Sequence, residues 1–94
     1  MNLRKWAKGK ECQIRIPGVC NRDHTTTVLC HIRLAGLTGW ALKAPDELAA
    51  IGCSSCHDMA DGRIEHPSWI KGEVKLMFYE GVFRTQAMWL KERG

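Results

Sequence analysis

The sequence lacks a long apolar run: no stretch of its 94 residues approaches the roughly 18 apolar residues of a membrane-spanning helix. It also lacks the apolar segment of a secretory signal, because it begins Met-Asn-Leu-Arg-Lys-Trp-Ala-Lys. These absences predict a soluble cytoplasmic protein that does not associate with membranes.

An even cysteine count is missing as well. The chain has five cysteines, whereas a secreted disulfide framework favours an even number, so we expect reduced thiols. No repeat, low-complexity tract or internal linker divides the sequence, and residues 1–94 are predicted to form one domain. A chain this short hides only about 60–65% of its unfolded surface, so a bound metal would be a useful source of stability.

Positive charge is concentrated in the first third of the chain. The net charge is +4, and residues 1–33 contain seven Lys or Arg against two acidic residues. A basic surface of this kind favours a polyanionic partner, most simply nucleic acid. A solvated lysine-rich segment explains the charge equally well. The choice between a nucleic-acid partner and a solvated surface therefore depends on the sequence motifs.

Local patterns predict an α+β domain that begins with a β element. Residues 14–16 are typical of a short strand followed by the turn Pro17-Gly18, and residues 26–34 are β-branched and partly alternating. The two segments are expected to form a hairpin-like unit.

Two helices are predicted to follow. Ser55 can cap a short helix with Asp58 three residues on, and Gly62 can end it. Residues 69–93 form the longest predicted helix, and a close approach of another segment would explain its Gly81. Its apolar face is predicted to contain Ile70, Val74, Met77, Phe78, Gly81 and Met88.

The run Cys53-Ser54-Ser55-Cys56-His57 fits two unrelated chemistries, covalent haem attachment and a zinc knuckle. A haem protein of this type would be exported with a cleavable signal, which the sequence lacks. A second pair, Cys12 and Cys20, brackets the predicted turn, and two such pairs can clamp one structural Zn²⁺ tetrahedrally. Cys12 and Cys20 could instead be buried thiols or a disulfide, because their spacing is wide for a zinc site.

Three further residues indicate catalysis. His57 and Asp61 are four residues apart, so both project from one face of the short helix and can hold a divalent ion. The strand that precedes them in sequence offers His31 as a general base. A zinc-anchored helix carrying metal ligands opposite a strand carrying a histidine is a ββα-metal, or HNH-type, nuclease core. The predicted fold is therefore a small zinc-stapled HNH-like domain with a long C-terminal helix.

The chain as a whole resembles the YbcO-like nuclease family of lambdoid prophages, which is related to the phage recombination-enhancement nuclease Ref. The matching stretches run in order across nearly the whole sequence. They are Lys10-Glu11-Cys12, Ile16-Pro17-Gly18-Val19-Cys20, Thr27-Val28-Leu29, His31-Ile32-Arg33, Leu42-Lys43-Ala44-Pro45-Asp46, Cys53-Ser54-Ser55-Cys56-His57-Asp58, Asp61-Gly62-Arg63 and Glu80-Gly81-Val82-Phe83-Arg84-Thr85-Gln86.

This resemblance implies an HNH-like fold and DNA cleavage in phage recombination or processing. It places His31 at the first histidine position, His57 at the Cys-His step and Asp61 where many HNH enzymes have their last histidine. It also places Asp46 near the middle, asparagine-like position.

The catalytic metal is expected to have two protein ligands. Cys30 stands where many HNH cores have a ligand immediately before the base, and it is predicted to be a small buried residue. Water and phosphate would complete the coordination. Asp61 favours Mg²⁺ or Mn²⁺, whereas His57 leaves Zn²⁺ or Ni²⁺ open.

Several other residues have candidate supporting roles. Arg33, Lys43 and Arg63 could contact DNA phosphates, or could be ordinary surface residues. Glu80 and Arg84 could pair with each other on the long helix, or could orient His57 or the loop below it.

The sequence therefore predicts a metal-dependent DNA endonuclease, acting with a recombination protein or as a homodimer. The alternative is a non-catalytic zinc module that binds DNA or a recombination partner, since the cysteines and the basic segment would suit it equally. His31, His57 and Asp61 favour the nuclease, because a binding module does not require them.

Overall fold

A computed structural model describes residues 2–33 and 44–93, so Lys43 lies outside the described residues. The chain forms an α+β fold with a two-stranded sheet and a long C-terminal helix, as predicted. Its elements are α1 (Leu3–Ala7), β1 (Val28–His31), β2 (Ala49–Gly52), α2 (Ser54–Ala60) and α3 (Lys71–Arg93), with 3₁₀ turns at His24–Thr26 and Asp46–Leu48. No helix within these two ranges is both long and apolar enough to cross a membrane.

The sheet pairs β1 with β2 in antiparallel register, from Val28 opposite Gly52 to His31 opposite Ala49. The prediction that residues 14–16 form the partner strand is wrong. Arg15 has a left-handed φ of 56°, which β-strands do not adopt, and its two isoleucine neighbours are both buried. The true partner, Ala-Ala-Ile-Gly, contains little β-branched sequence that could have predicted it.

Strand β2 lies at the centre of the fold, and all four of its residues are buried. On the edge of β2 away from β1, the backbone groups of Ile51 bond a loop and a side chain of α3. The Gln13 amide donates to the Ile51 carbonyl over 2.7 Å, and the Ile51 amide donates to the Thr85 hydroxyl over 3.0 Å. Two segments are therefore hydrogen-bonded to the same strand residue, Ile51. They are the loop between Cys12 and Cys20 and helix α3.

Helix α2 follows β2 directly, and its N-cap is Cys53, not the predicted Ser55. The Cys53 sulfur accepts a hydrogen bond from the Cys56 amide over 3.4 Å. Asp61 is the C-cap, and Gly62 follows it with a φ of 77°, which glycine adopts at no steric cost. The helix therefore ends where the sequence predicted.

Helix α3 begins at Lys71, two residues later than predicted. The Glu73 carboxylate in its first turn accepts a hydrogen bond from the Ile70 amide. Val74 and Phe78 are buried on the face toward the sheet, as expected. Ile70 was expected on that face but is 69% exposed. Gly81 lies where the helix meets the loop: a Cβ there would lie 3.0 Å from the Gln13 carbonyl oxygen and 3.1 Å from the Ile14 Cα.

Gly81→Ala is expected to destabilise the fold by about 1–2 kcal/mol, because the new methyl group meets backbone atoms that cannot rotate away. Gly72→Ala is the matched control on the same helix, since a Cβ there has nothing within 4 Å. The control should be neutral or more stable by up to about 1 kcal/mol. Urea unfolding of the two variants measures the difference, and equal free energies of unfolding would contradict the close approach at Gly81.

Candidate functional site

Cys12, Cys20, Cys53 and Cys56 meet at one point. Their four sulfur atoms all lie within 4.8 Å of one another, and those of Cys20 and Cys53 are 3.8 Å apart. A tetrahedral zinc ion with Zn–S bonds of about 2.3 Å requires sulfur separations of roughly 3.8 Å. The cluster therefore fits a metal ion such as zinc, as predicted. All five cysteines are free, so the alternative of a Cys12–Cys20 disulfide is wrong.

The seven-residue gap between Cys12 and Cys20 is accommodated by a tight turn. The Ile16 carbonyl accepts hydrogen bonds from the amides of Val19 and Cys20, over 3.0 and 2.8 Å. Gly18 has a φ of 77° within this turn. The turn reverses the direction of the chain. The sulfur atoms of Cys12 and Cys20 therefore lie close together despite their wide sequence spacing.

Arg84 fixes the same loop from helix α3. Its Nε and Nη2 atoms donate to the Gln13 carbonyl over 3.0 and 2.8 Å, beside Cys12. The guanidinium therefore contacts the loop that begins at Cys12, and a role of Arg84 in orienting His57 stays a prediction. Glu80 is exposed on the same helix.

The thiols of the cluster influence one another. A hydrogen bond from Cys56 lowers the pKa of Cys12, and the same bond, with burial, raises the pKa of Cys56. Cys30 stands outside the cluster: burial first, and then the charge of Asp61, raise the pKa of its thiol to about 12. It is 1% exposed and packs against Gly52, so it is a small buried residue, as predicted.

Cys53→Ser is expected to abolish stoichiometric zinc binding and to lower Tm by more than 10 °C, because metal binding and folding are linked. Cys30→Ala is the control: it removes a buried thiol without removing a ligand, and it should retain one zinc per chain. Zinc content by elemental analysis and Tm by calorimetry test both. A Cys53→Ser protein with unchanged Tm would exclude a stabilising role for the cluster.

His31 lies at the end of β1 and bonds an acidic residue. Its Nε2 is 2.6 Å from Oδ1 of Asp46, and the same oxygen accepts from Arg4 Nε at 3.2 Å. The hydrogen bond from His31, and then the contact with Arg4, lower the pKa of Asp46. The ionised carboxylate can therefore hold the imidazole in one orientation. Sequence reasoning missed Arg4, because nothing local links two residues 42 positions apart.

His57 and Asp61 lie together at the end of α2, as their spacing predicted. His57 Nε2 is 3.2 Å from Asp61 Oδ2. Arg63 bridges two carboxylates, with Nη2 3.2 Å from Asp61 Oδ2 and Nη1 2.9 Å from Asp58 Oδ1. An imidazole nitrogen and a carboxylate oxygen at this distance can bind a divalent ion.

A groove of about 950 Å³ is lined by His31, Arg33 and Asp61 together. His57 is not among the lining residues, although it contacts Asp61, which is. In the described residues, the cysteine cluster is the one set of three or more His, Cys, Asp or Glu donors close enough to share an ion. His57 and Asp61 thus form a pair of potential ligands, separate from the cluster, of which Asp61 lines the groove together with His31.

These observations define a small α+β domain with a four-cysteine site suited to a metal ion such as zinc. The family model described as "Putative nuclease YbcO" matches residues 1–93. The chain belongs to this family.

Individual relatives support the assignment. The chain is 53% identical over 91 residues to "Putative nuclease YbcO" of Escherichia coli K12 and to the protein of the same description in Enterobacteria phage 82. Each match covers 97% of this chain and 93% of the relative. A solved structure described as "a putative bacteriophage protein" from E. coli K-12 is similar with a TM-score of 0.79 at 47% identity, covering 95% of this chain and 96% of that one.

Proposed function

We propose that the chain is a metal-dependent DNA endonuclease of the HNH, or ββα-metal, type. The observation that carries this proposal is the shared groove, in which His31 from β1 lies with Asp61 from the end of α2. Two antiparallel strands and a following helix, in that order, match the order of elements in a ββα-metal core. The names of the relatives agree with a nuclease.

His31 is assigned the role of general base. Its Nε2 is bonded to Asp46, which leaves Nδ1 to accept a proton from the water that attacks phosphorus. The phosphorus–O3′ bond breaks as the new bond to the water oxygen forms. Asp46 keeps the ring oriented and stabilises the imidazolium that results.

His57 and Asp61 are assigned as ligands of a catalytic Mg²⁺ or Mn²⁺. When bound, this ion would stabilise the charge on the phosphate and the leaving oxygen. Arg33 is exposed beside the groove and can bind a flanking phosphate, whereas Arg63 holds Asp58 and Asp61 and can reach a phosphate if it releases one of them. A phosphate contact from Lys43 remains a sequence prediction.

The four cysteines are assigned a structural zinc. Cys56 is a ligand and His57 is the next residue, so the zinc holds the start of the helix that carries the catalytic ligands. We assign the activity to phage DNA recombination or processing, since one relative comes from phage 82. A recombinase or a second copy of the chain as partner stays a prediction from the sequence.

His31→Ala is expected to reduce cleavage of plasmid and single-stranded DNA in Mg²⁺ or Mn²⁺ by about 10²-fold or more, which is usual for loss of a general base. His24→Ala is the matched control, because His24 is exposed on a 3₁₀ turn outside the groove lining. Both variants should keep their zinc. Equal activity of the two would remove His31 from the mechanism, and DNA binding without cleavage by the native chain would favour the non-catalytic module.

Asp61→Asn is expected to raise the Mg²⁺ or Mn²⁺ concentration for half-maximal cleavage by about tenfold, because the amide is a weaker ligand for a hard cation. Asp58→Asn is the matched control, since Asp58 binds the same Arg63 but is not a proposed ligand. Titrating the metal against initial rate measures the effect. The same shift in both variants would assign it to Arg63 instead of to metal binding.

A further inference from the structure

The groove beside His31 has an extensive apolar wall that hydrolysis itself does not require. Ile64 and Ile70 line it although they are 42% and 69% exposed. Half-buried Trp69 lies next to Ile70, and its indole nitrogen donates to the Pro17 carbonyl over 2.8 Å, which fixes the ring against the cysteine-bearing loop. Exposed isoleucines beside a fixed aromatic ring form a surface on which flat apolar groups can pack.

Basic side chains accompany this wall. Arg33, Lys71 and Lys75 line the same groove and are exposed, opposed by Asp61 and Glu65. Asp61 is already bonded to His57 and Arg63, so it contributes little free negative charge. The groove therefore combines an apolar wall with an excess of available positive charge.

This combination distinguishes between forms of DNA. A duplex presents phosphates and sugars to its surroundings and keeps its bases stacked inside, so it gains little from an apolar wall. An unpaired strand presents phosphates and base faces together, and proteins bind it with basic grooves lined by side chains on which bases stack. The groove has both components, and it contains the proposed base.

We propose that this groove binds single-stranded DNA, with unpaired bases against Trp69 and Ile70 and their phosphates near Lys71 and Lys75. The inference rests on the proposed function for its placement beside the scissile phosphate, and it names the substrate class: a single strand, or a duplex with an unpaired stretch at the cleavage point.

Binding is measured by fluorescence anisotropy with a labelled 12-nucleotide strand and the corresponding blunt duplex, using zinc-loaded full-length His31→Ala protein without added divalent cations. The single strand is expected to bind at least tenfold more tightly than the duplex. Ile70→Glu should weaken single-strand binding by about tenfold, because it removes an apolar contact and adds a negative charge beside the phosphates.

Leu76→Glu is the matched control. Leu76 lies on helix α3, which begins just after Ile70; it is 61% exposed and does not line the groove. Its substitution by glutamate makes the same change in charge and polarity. It should alter single-strand affinity by less than twofold. Both positions are exposed, so both variants should fold, and zinc content with circular dichroism verifies this.

Equal affinity for strand and duplex, or equal effects of the two glutamates, would overturn the inference. Tighter binding of the same sequence as RNA would overturn the assignment to DNA. The two proposals fail separately. If Ile70→Glu loses single-strand binding but the native chain cleaves no DNA, the nuclease proposal alone is contradicted. If the native chain cleaves duplex DNA and Ile70→Glu cleaves it equally well, the groove proposal alone is contradicted.

Discussion

The meeting of four cysteine sulfurs is the constraint on which the rest of the structure depends. A two-stranded sheet is not stable by itself in water, and this one has four residues in each strand. Cys12, Cys53 and Cys56 are buried among the apolar side chains of the core. A metal ion at this point would join the N-terminal loop to the start of α2 and close the core between them.

The geometry of the candidate catalytic residues follows from that junction. His57 is adjacent to a cluster cysteine, and Asp61 lies one turn further along the same short helix. A helix of seven residues is too short to be stable alone, so its orientation depends on the cysteines at its start. β1 delivers His31 from the other side, because its pairing with β2 and the 3₁₀ turn before β2 bring Asp46 to the imidazole. The cysteine cluster and the sheet thus each position one part of the proposed site.

What the sequence could predict was local. The Cys-x-x-Cys-His run, the four-residue spacing of His57 and Asp61 and the long helix all depend on neighbours within a turn or two, and the structure agrees with them. A glycine inside the long helix also indicated a close approach there, although the segment that approaches, at Gln13 and Ile14, is distant in sequence. The meeting of the two cysteine pairs was also predictable, since two pairs of thiols in a small domain favour a shared metal site.

The remaining features depend on contacts between distant segments. Strand β2 was missed because Ala-Ala-Ile-Gly acquires its extended form from burial between β1 and α3, not from its own propensity. Residues 14–16 were assigned to a strand because their alternation is strand-like, yet the left-handed Arg15 lets both isoleucines enter the core. The contacts of Arg84 with Gln13 and of Arg4 with Asp46 join residues far apart in sequence, for which a single sequence contains no signal.

The shared oxygen of Asp46 has a practical consequence for handling the protein. Because Arg4 and His31 bind the same carboxylate oxygen, the first helix forms part of the surroundings of the proposed base. An affinity tag fused ahead of Asn2 would begin less than one helical turn from Arg4. Purification through such a tag could alter the electrostatics at His31 while leaving the fold intact, so preparations with the tag removed are the appropriate reference for any measured rate.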